Sequence, residues 1–267
     1  MIDLSRTAGI PVWFNPEAPA LELGPDLRRE KVVLRRLHEM LPMLQEASGQ
    51  DSQRLLYFMN YNLRFPEHEQ AFVEGGLRYD ITVLLPGEVG PEPVKTAGHY
   101  HPAEATHGVE YPEIYSVLAG SADYLLQRTD VDGTVTEALL LHAEAGEHVL
   151  IPPGYGHISI NRGPGPMIMA NLVASDCQPD YGPIRLLGGG CYLPKKVGDQ
   201  LTYSRNEKYA SVVPLQHVRP IPLPEYGIEF HVPLYTAYVQ RPTLFQYVAL
   251  PGSEGGTPSW TSDRFWS

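Results

Sequence analysis

The chain has 267 residues, a formal net charge of −11 at pH 7, and 25 glycines and 26 prolines. This length allows one large or two small domains, and so many turn-forming residues exclude an architecture of long helices. The acidic balance, with basic residues clustered only around 31–36, argues against a nucleic-acid partner. No apolar run reaches the roughly 20 residues of a membrane helix. The first residues do not resemble a signal peptide, so we expect a cytoplasmic protein.

The first 54 residues are predicted to form an arm and a short helix. Residues 1–25 are proline-rich and lack periodicity, so we expect an extended segment. From 26 to 41, apolar residues recur at helical spacing until Pro42 ends the pattern. The basic face of this helix, which includes Arg35, is expected to be a solvated surface, with a docking site as the alternative.

A predicted β-domain occupies residues 55–182. Short apolar stretches alternate with turn signals, and no helical pattern of 10–15 residues interrupts them. The pattern therefore favours an antiparallel sandwich or barrel over βαβ units. The predicted strands are 55–61, 78–85, 96–101, 112–119, 122–128, 135–141, 147–151, 156–160 and 166–173.

The remaining residues, 183–267, are again rich in proline and glycine. Aromatic stretches at 230–239 and 244–250 are predicted to be strands. We expect this C-terminal extension to pack on the β-domain or on a partner subunit. The two cysteines, Cys177 and Cys191, are too few for a disulfide framework and are expected to be reduced.

Two histidine-containing segments point to a metal site. His99 and His101 are two residues apart, so a strand would place both imidazoles on one face. Glu113 can supply a carboxylate from a following strand, and His157 follows the turn at 152–154. Three imidazoles and a carboxylate suit a divalent transition metal and would leave two octahedral positions for substrate or water.

Other interpretations of these residues remain open. Any one of the histidines alone would more often be a hydrogen-bonded core or surface group. Glu104 and Glu110 are alternative carboxylates, but they lack the apolar strand context of Glu113. His107 would join the ligands only if the loop at 103–111 folded inward.

Taken together, the two segments resemble the two motifs of the cupin superfamily. The second segment, from Gly146 to Asn161, matches the consensus of that superfamily at every fixed position. The first segment departs from the usual form, since eleven residues separate His101 from Glu113. The resemblance implies an all-β cupin barrel, here with a short N-terminal helix and β-rich terminal extensions.

More specifically, the chain resembles the cupin-type glucose-6-phosphate isomerases. The resemblance covers about 82–182, under half of the chain, and its most specific wording is Thr-x-Gly-His-Tyr-His-Pro at 96–102. It implies that the metal ligands are His99, His101, Glu113 and His157, with Tyr115 beside the metal. It also implies that the residues around the substrate, largely at its phosphate end, are Thr82, Thr96, Gly98 and Tyr181. In one departure from the family, Val173 stands at the position where the family has a tyrosine on the substrate side.

The resemblance therefore predicts a metal-dependent isomerase that interconverts glucose 6-phosphate and fructose 6-phosphate. The cofactor would be one divalent ion of Fe, Mn, Ni or Zn, with Glu113 and Tyr115 as catalytic residues and a homodimer as the expected assembly. The sequence does not choose between proton transfer and a hydride shift. The alternatives are an iron oxygenase, an isomerase or epimerase of another sugar, and a non-catalytic sugar-binding cupin.

The negative net charge is unfavourable for a phosphorylated substrate, because it repels a dianion at long range. Lys95 could contribute one cation, although its more usual place would be in solvent.

Overall fold

Two mainly antiparallel sheets pack face to face in the computed structural model, which describes residues 1–130, 132–198, 200–253, 260 and 264–267. The strands are β1 (Ile2–Asp3), β2 (Val12–Asn15), β3 (Ala20–Leu23), β4 (Lys31–Arg36), β5 (Leu55–Tyr61), β6 (Leu77–Leu84), β7 (Glu88–Val89), β8 (Glu92–Pro93), β9 (Glu113–Ala119), β10 (Ser121–Thr129), β11 (Val135–Glu144), β12 (His148–Ile151), β13 (Tyr155–Asn161), β14 (Met167–Ala174), β15 (Tyr192–Val197), β16 (Gln200–Arg205) and β17 (Gln216–Val218). The helices are α1 (Ser5–Ala8), α2 (Leu37–Met40), α3 (Glu69–Gly75), α4 (Gly182–Leu186), α5 (Leu234–Gln240) and α6 (Gln246–Ala249), with 3₁₀ turns at Leu41–Met43, Pro66–His68, Pro224–Tyr226 and Pro242–Phe245.

The larger sheet has the strand order β12-β9-β14-β6-β5-β4, and the smaller has the order β13-β10-β11-β17. The two sheets form a sandwich without closing into a continuous barrel. This arrangement confirms the mainly β, antiparallel fold that the sequence predicted.

Alternation along the strands builds a separate core on each face of the larger sheet. Tyr115 and Val117 of β9 pack between the two sheets, against residues such as Tyr124 of β10. Ile114 and Leu118 of the same strand belong to a second cluster on the outer face. Successive side chains of a strand point to opposite faces. Strand β9 therefore contributes side chains both to the core between the sheets and to the cluster on the outer face.

The N-terminal segment is not the extended arm that was predicted. Strands β1, β2 and β3 form a small sheet. Buried residues of this segment, such as Val12 and Phe14, join the outer cluster. The buried positions alternate in β2, but its apolar residues are consecutive, so the sequence shows no period-2 pattern there.

The helix predicted across 26–41 was also wrong over most of its length. Residues Lys31–Arg36 form β4, which pairs antiparallel with β5, and only Leu37–Met40 are helical. Val32 and Leu34 are exposed, while Val33 and Arg35 are partly buried, as expected for a strand at a sheet edge. Pairing with β5 therefore overrides an ambiguous apolar spacing.

The C-terminal segments predicted as strands are largely helical. Helix α5 begins after Pro233 and buries Leu234, Tyr235, Ala237 and Tyr238, a spacing that fits one helical face. Tyr235 packs against Phe72 and Tyr79 on the outer face of the larger sheet. The aromatic content of this segment suggested strands, whereas its buried positions follow the period of a helix.

The predicted strand at 96–101 is reduced to isolated bridges, of which His99 to His157 and Tyr100 to Asp180 are two. Both cysteines are buried and free. Within the described parts of the chain, no helix is long and apolar enough to cross a membrane.

Candidate metal centre

Three histidines and one glutamate converge between the two sheets. The potential ligand atoms of His99, His101, Glu113 and His157 all lie within 4.8 Å of one another. The Nε2 atoms of His99 and His101 are 3.1 Å apart. Oε2 of Glu113 lies 3.2 Å from Nε2 of His157 and 3.4 Å from Nε2 of His101. The four residues thus place three nitrogen donors and one oxygen donor around a single point.

The outward-facing nitrogens of two of these rings fix their tautomers. Nδ1 of His101 lies 2.8 Å from the carbonyl oxygen of Tyr111, and Nδ1 of His157 lies 3.4 Å from that of Tyr155. A carbonyl can only accept, so each Nδ1 carries the hydrogen and each Nε2 presents its lone pair to the centre. Metal-bound histidines commonly make this outer contact.

Oε2 of Glu113 is buried without a hydrogen-bond partner among the described residues. The nearby ring nitrogens are within ion-pair distance of this oxygen but do not aim an N–H group at it. A buried carboxylate oxygen without a partner is energetically costly, and a bound cation would remove this cost. The donor set therefore fits one divalent transition metal.

The pKa shifts keep the donors ready to bind a cation. Burial lowers the pKa of His101 to about 4, although the charge of Glu113 opposes it. Burial also lowers the pKa of His99 well below 6.5. Burial alone would raise the pKa of Glu113, but its contacts with His157 and His101 outweigh burial and lower it. Near neutral pH His99 and His101 are therefore neutral and Glu113 is ionised.

Tyr115 combines a packing role with a position beside the ligands. Its ring lies 5.3 Å from that of Tyr124 in the inner core. Its hydroxyl lies 3.3 Å from Nε2 of His157. Burial and the charge of Glu113 raise its pKa well above 10, so the phenol stays protonated and can donate.

The ligand group opens into a cavity of about 70 Å³. The cavity lining includes seven of the positions singled out from the sequence: Thr82, Thr96, His99, His101, Glu113, Tyr115 and Tyr181. Neither Gly98 nor the predicted ligand His157 is part of this lining. A Cβ on Gly98 would come within 2.5 Å of Ile158, and its φ of +73° favours glycine, so close packing also accounts for this residue.

Two arginines that were not predicted to belong to the site lie close to it. Arg78 lines the cavity directly. Arg35 was expected in solvent, but its guanidinium carbon lies 5.8 Å from the centre of the Tyr181 ring. Reading 31–36 as a strand would have shown that Lys31, Val33 and Arg35 share one face.

Lys95 is not the solvent-exposed cation that was expected. Its side chain is 1% exposed and pairs with the buried carboxylate of Glu92. Oε1 of Glu92 also accepts a hydrogen bond from the backbone N–H of Gln45, at 2.7 Å. The ammonium group is therefore committed to a structural ion pair.

The alternative ligands lie outside the four-residue group. The carboxylate of Glu104 accepts from the backbone N–H groups of Thr106 and His107, each at 2.8 Å. Nδ1 of His107 lies 2.8 Å from the same carboxylate. Glu104 and His107 thus hold the 102–112 loop together, and Glu110 is not a member of the ligand group.

Residues 30–211 match the family model described as "Glucose-6-phosphate isomerase (GPI)". Among solved structures, the chain is similar to an oxalate oxidase, with 20% identity and a TM-score of 0.29 over 40% of this chain and 44% of that one.

Curated relatives carry the same family name. A glucose-6-phosphate isomerase of Thermococcus litoralis is 38% identical over 116 residues, which are 43% of this chain and 56% of the relative. The aligned segment thus spans little more than half of that relative. A glucose-6-phosphate isomerase of Pyrococcus abyssi is 32% identical over 155 residues, which are 58% of this chain and 76% of the relative. The chain belongs to the glucose-6-phosphate isomerase family.

Proposed function

We propose that the protein is a metal-dependent aldose–ketose isomerase that interconverts glucose 6-phosphate and fructose 6-phosphate. One observation carries the proposal: three imidazoles and a carboxylate converge at the wall of a cavity whose other polar lining includes hydroxyls. Such a lining suits a polyhydroxylated substrate and disfavours the iron oxygenase alternative, for which an apolar pocket is expected. The family membership of the chain supports the same choice.

The phosphate end is assigned to the part of the cavity that contains Thr82, Thr96 and Tyr181. Thr82 and Thr96 can donate from their hydroxyls, and Tyr181 lies between the cavity and Arg35. Burial disfavours the charged form of Arg35, but Tyr57 and Tyr181 outweigh it and raise its pKa. A cation, itself paired with Glu39 at 3.2 Å, therefore lies beside the Tyr181 ring and offsets locally part of the negative net charge of the chain.

The reacting end is assigned to the ligand group. His99, His101, Glu113 and His157 would hold a divalent ion, which when bound polarises the substrate oxygens and stabilises the negative charge that develops on them. Glu113 is ionised and buried at this point, so it can take a proton from C2 and return it to C1 through an enediolate, while the hydroxyl proton on O2 is transferred to O1. The Tyr115 hydroxyl is close enough to orient this carboxylate or a substrate oxygen.

The test is a coupled assay with fructose 6-phosphate and mannose 6-phosphate in parallel, before and after chelation and with Fe, Mn, Ni or Zn restored. We expect turnover of fructose 6-phosphate that chelation abolishes and a divalent ion restores. Turnover unaffected by the chelator would exclude the metal role, and turnover of mannose 6-phosphate alone would reassign the substrate.

The route of hydrogen transfer is tested by running the reaction in D₂O. Deuterium in the product would show proton transfer, because the proton held by the Glu113 carboxyl group can exchange with solvent before a proton returns to C1. A product without deuterium is expected both from a direct hydride shift and from return of the same proton, so only incorporation decides the route.

A further inference from the structure

Three strands of the larger sheet align a cation, a small side chain and the candidate general base in one row. Arg78 of β6 pairs directly with Val173 of β14. Strand β14 also pairs with β9, Leu172 opposite Ile114. Continuing this register by one residue places Val173 level with Glu113. Arg78 and Glu113 thus lie on either side of Val173, and all three line the same cavity.

The guanidinium group of Arg78 is held in a fixed position. Nε donates to Oδ2 of Asp80 at 2.9 Å. Nη1 donates to the carbonyl oxygens of Ala174, at 2.9 Å, and Ser175, at 3.0 Å. Among the described residues, Nη2 has no hydrogen-bond partner. Because Nε and Nη1 are held by hydrogen bonds within the protein, Nη2 is the nitrogen that can donate to a bound ligand.

The charge of Arg78 reaches the ligand group. Burial disfavours its charged form, but Asp80 and Glu113 outweigh burial and raise its pKa. Arg78 also contributes to lowering the pKa of His99 and His101. Its side chain is 15% exposed, so solvent screens this charge only in part.

Arg78 also stands where the cavity widens outward. It lines a second chamber of about 340 Å³, which shares Tyr61, Cys177 and Pro179 with the first cavity. Along β6, Arg78 is four residues from Thr82, or about 13 Å at ~3.3 Å per residue. A substrate with its phosphate at Thr82 therefore extends toward the row that holds Arg78 and Glu113.

We propose that Nη2 of Arg78 binds the oxygens at the C1–C2 end of the sugar, across Val173 from Glu113. This inference rests on the proposed function. Val173 occupies the position where the family resemblance places a substrate-side tyrosine, and its small side chain leaves the space between Arg78 and Glu113 open. A charged donor from the neighbouring strand thus replaces a neutral hydroxyl.

The consequence is a preference for negative charge at the reacting end of the ligand. An enediolate carries more negative charge there than the open-chain sugar, so a fixed guanidinium stabilises the reacting state more than the substrate. Hydrogen bonds to charged groups are stronger than those between neutral groups. We therefore expect Arg78 to strengthen binding of a charged C1 group by about tenfold to a hundredfold.

The experiment compares two ligands that share a phosphate end and differ at C1. 6-Phosphogluconate carries a carboxylate at C1, whereas glucitol 6-phosphate carries a neutral hydroxyl. The ratio of their dissociation constants is measured by calorimetry on the metal-loaded wild type and on Arg78→Gln. We expect the preference for 6-phosphogluconate to fall at least tenfold in the variant. An unchanged ratio would overturn the inference.

The matched control is Arg35→Gln at the phosphate end. It should weaken both ligands and leave their ratio unchanged. If Arg78→Gln does not fold, Val173→Phe tests the same contact, because its ring would fill the space between Arg78 and Glu113. Val173→Phe should also reduce the ratio, and an unchanged ratio there would again overturn the inference.

The isomerase assay on the wild type separates the two proposals. Turnover of fructose 6-phosphate together with an unchanged ratio in the variants would overturn only the role of Arg78. A reduced ratio in the variants without wild-type turnover would overturn the proposed function and leave Arg78 as part of an anionic sugar-phosphate site.

Discussion

Nδ1 of His101 lies 2.8 Å from the backbone carbonyl oxygen of Tyr111, which belongs to the loop between the first two ligand segments. Tyr111 in turn donates its backbone N–H to the carbonyl oxygen of Pro102 at 3.1 Å. The loop therefore orients a potential metal ligand from outside the centre. The conformation of the loop depends on Glu104, whose carboxylate accepts hydrogen bonds from the backbone N–H groups of Thr106 and His107.

Glu104→Ala should lower metal affinity, up to about tenfold, because a looser loop would hold the tautomer and orientation of His101 less firmly. Competition with a chromophoric chelator measures this affinity. Glu110→Ala is the matched control in the same loop and should bind the metal as tightly as the wild type. Equal affinities for the two variants would show that the loop does not position His101.

Glu113→Gln should reduce kcat by about 10²- to 10⁴-fold, since the amide cannot accept the proton that the proposed reaction moves. The coupled assay at saturating fructose 6-phosphate, with metal content measured in parallel, provides the comparison. Glu110→Gln, a nearby carboxylate outside the ligand group, should retain wild-type kcat. Wild-type turnover by Glu113→Gln at full metal loading would disprove the assignment.

His148 should make the protein less stable in mild acid. Burial lowers its pKa to about 4, so the folded state keeps it neutral. An unfolded chain protonates histidine near pH 6.5. The free energy of unfolding should therefore fall as the pH drops below about 6.5 toward 4, by about 2 kcal/mol between pH 7 and pH 5. Urea titrations of the wild type and His148→Gln measure this loss, which the variant should lack.

His142 offers a control of opposite sign. Its hydrogen bond to Asp123 raises its pKa, so its stabilising contribution is present below pH 6.5 and is lost as the pH rises through the folded pKa. His142→Gln should therefore be less stable than the wild type at pH 5 but not at pH 8. If both variants showed the wild-type pH dependence, neither histidine would account for it.

Lys95→Met should destabilise the fold by about 3–5 kcal/mol, because it leaves the buried carboxylate of Glu92 without its partner. The double variant Lys95→Met with Glu92→Gln should recover much of this loss. Lys31→Met is the control, since the Lys31–Glu30 pair is exposed and should contribute less than about 1 kcal/mol. Urea unfolding would contradict the prediction if Lys95→Met and Lys31→Met were equally stable.

The sequence was sufficient for the two-sheet core because β5, β6 and β9–β14 are short segments rich in apolar residues and bounded by turn residues. The ligand group was also predictable, since i, i+2 spacing and a cupin-like motif both single it out. The terminal segments were not. The strand at 31–36 and helix α5 depend on pairing with β5 and on packing against Tyr79, contacts that local spacing cannot reveal.

The same limit explains the missed arginines. Arg35 reaches the Tyr181 ring only because β4 is a strand at the edge of the larger sheet. The relation of Arg78 to Glu113 depends on the registers in which β6 and β9 each pair with β14. Strand β14 lies more than 30 residues after both of them in the chain. Side-chain type alone would have indicated two surface cations.

His99 and His157 pair as an isolated bridge although 57 residues lie between them in the chain. A nascent polypeptide therefore cannot assemble the full set of donors until the later segment has been synthesised and has docked. Capture of the ion should accordingly be coupled to the last stages of folding, and the melting temperature of the protein should rise with the concentration of free metal.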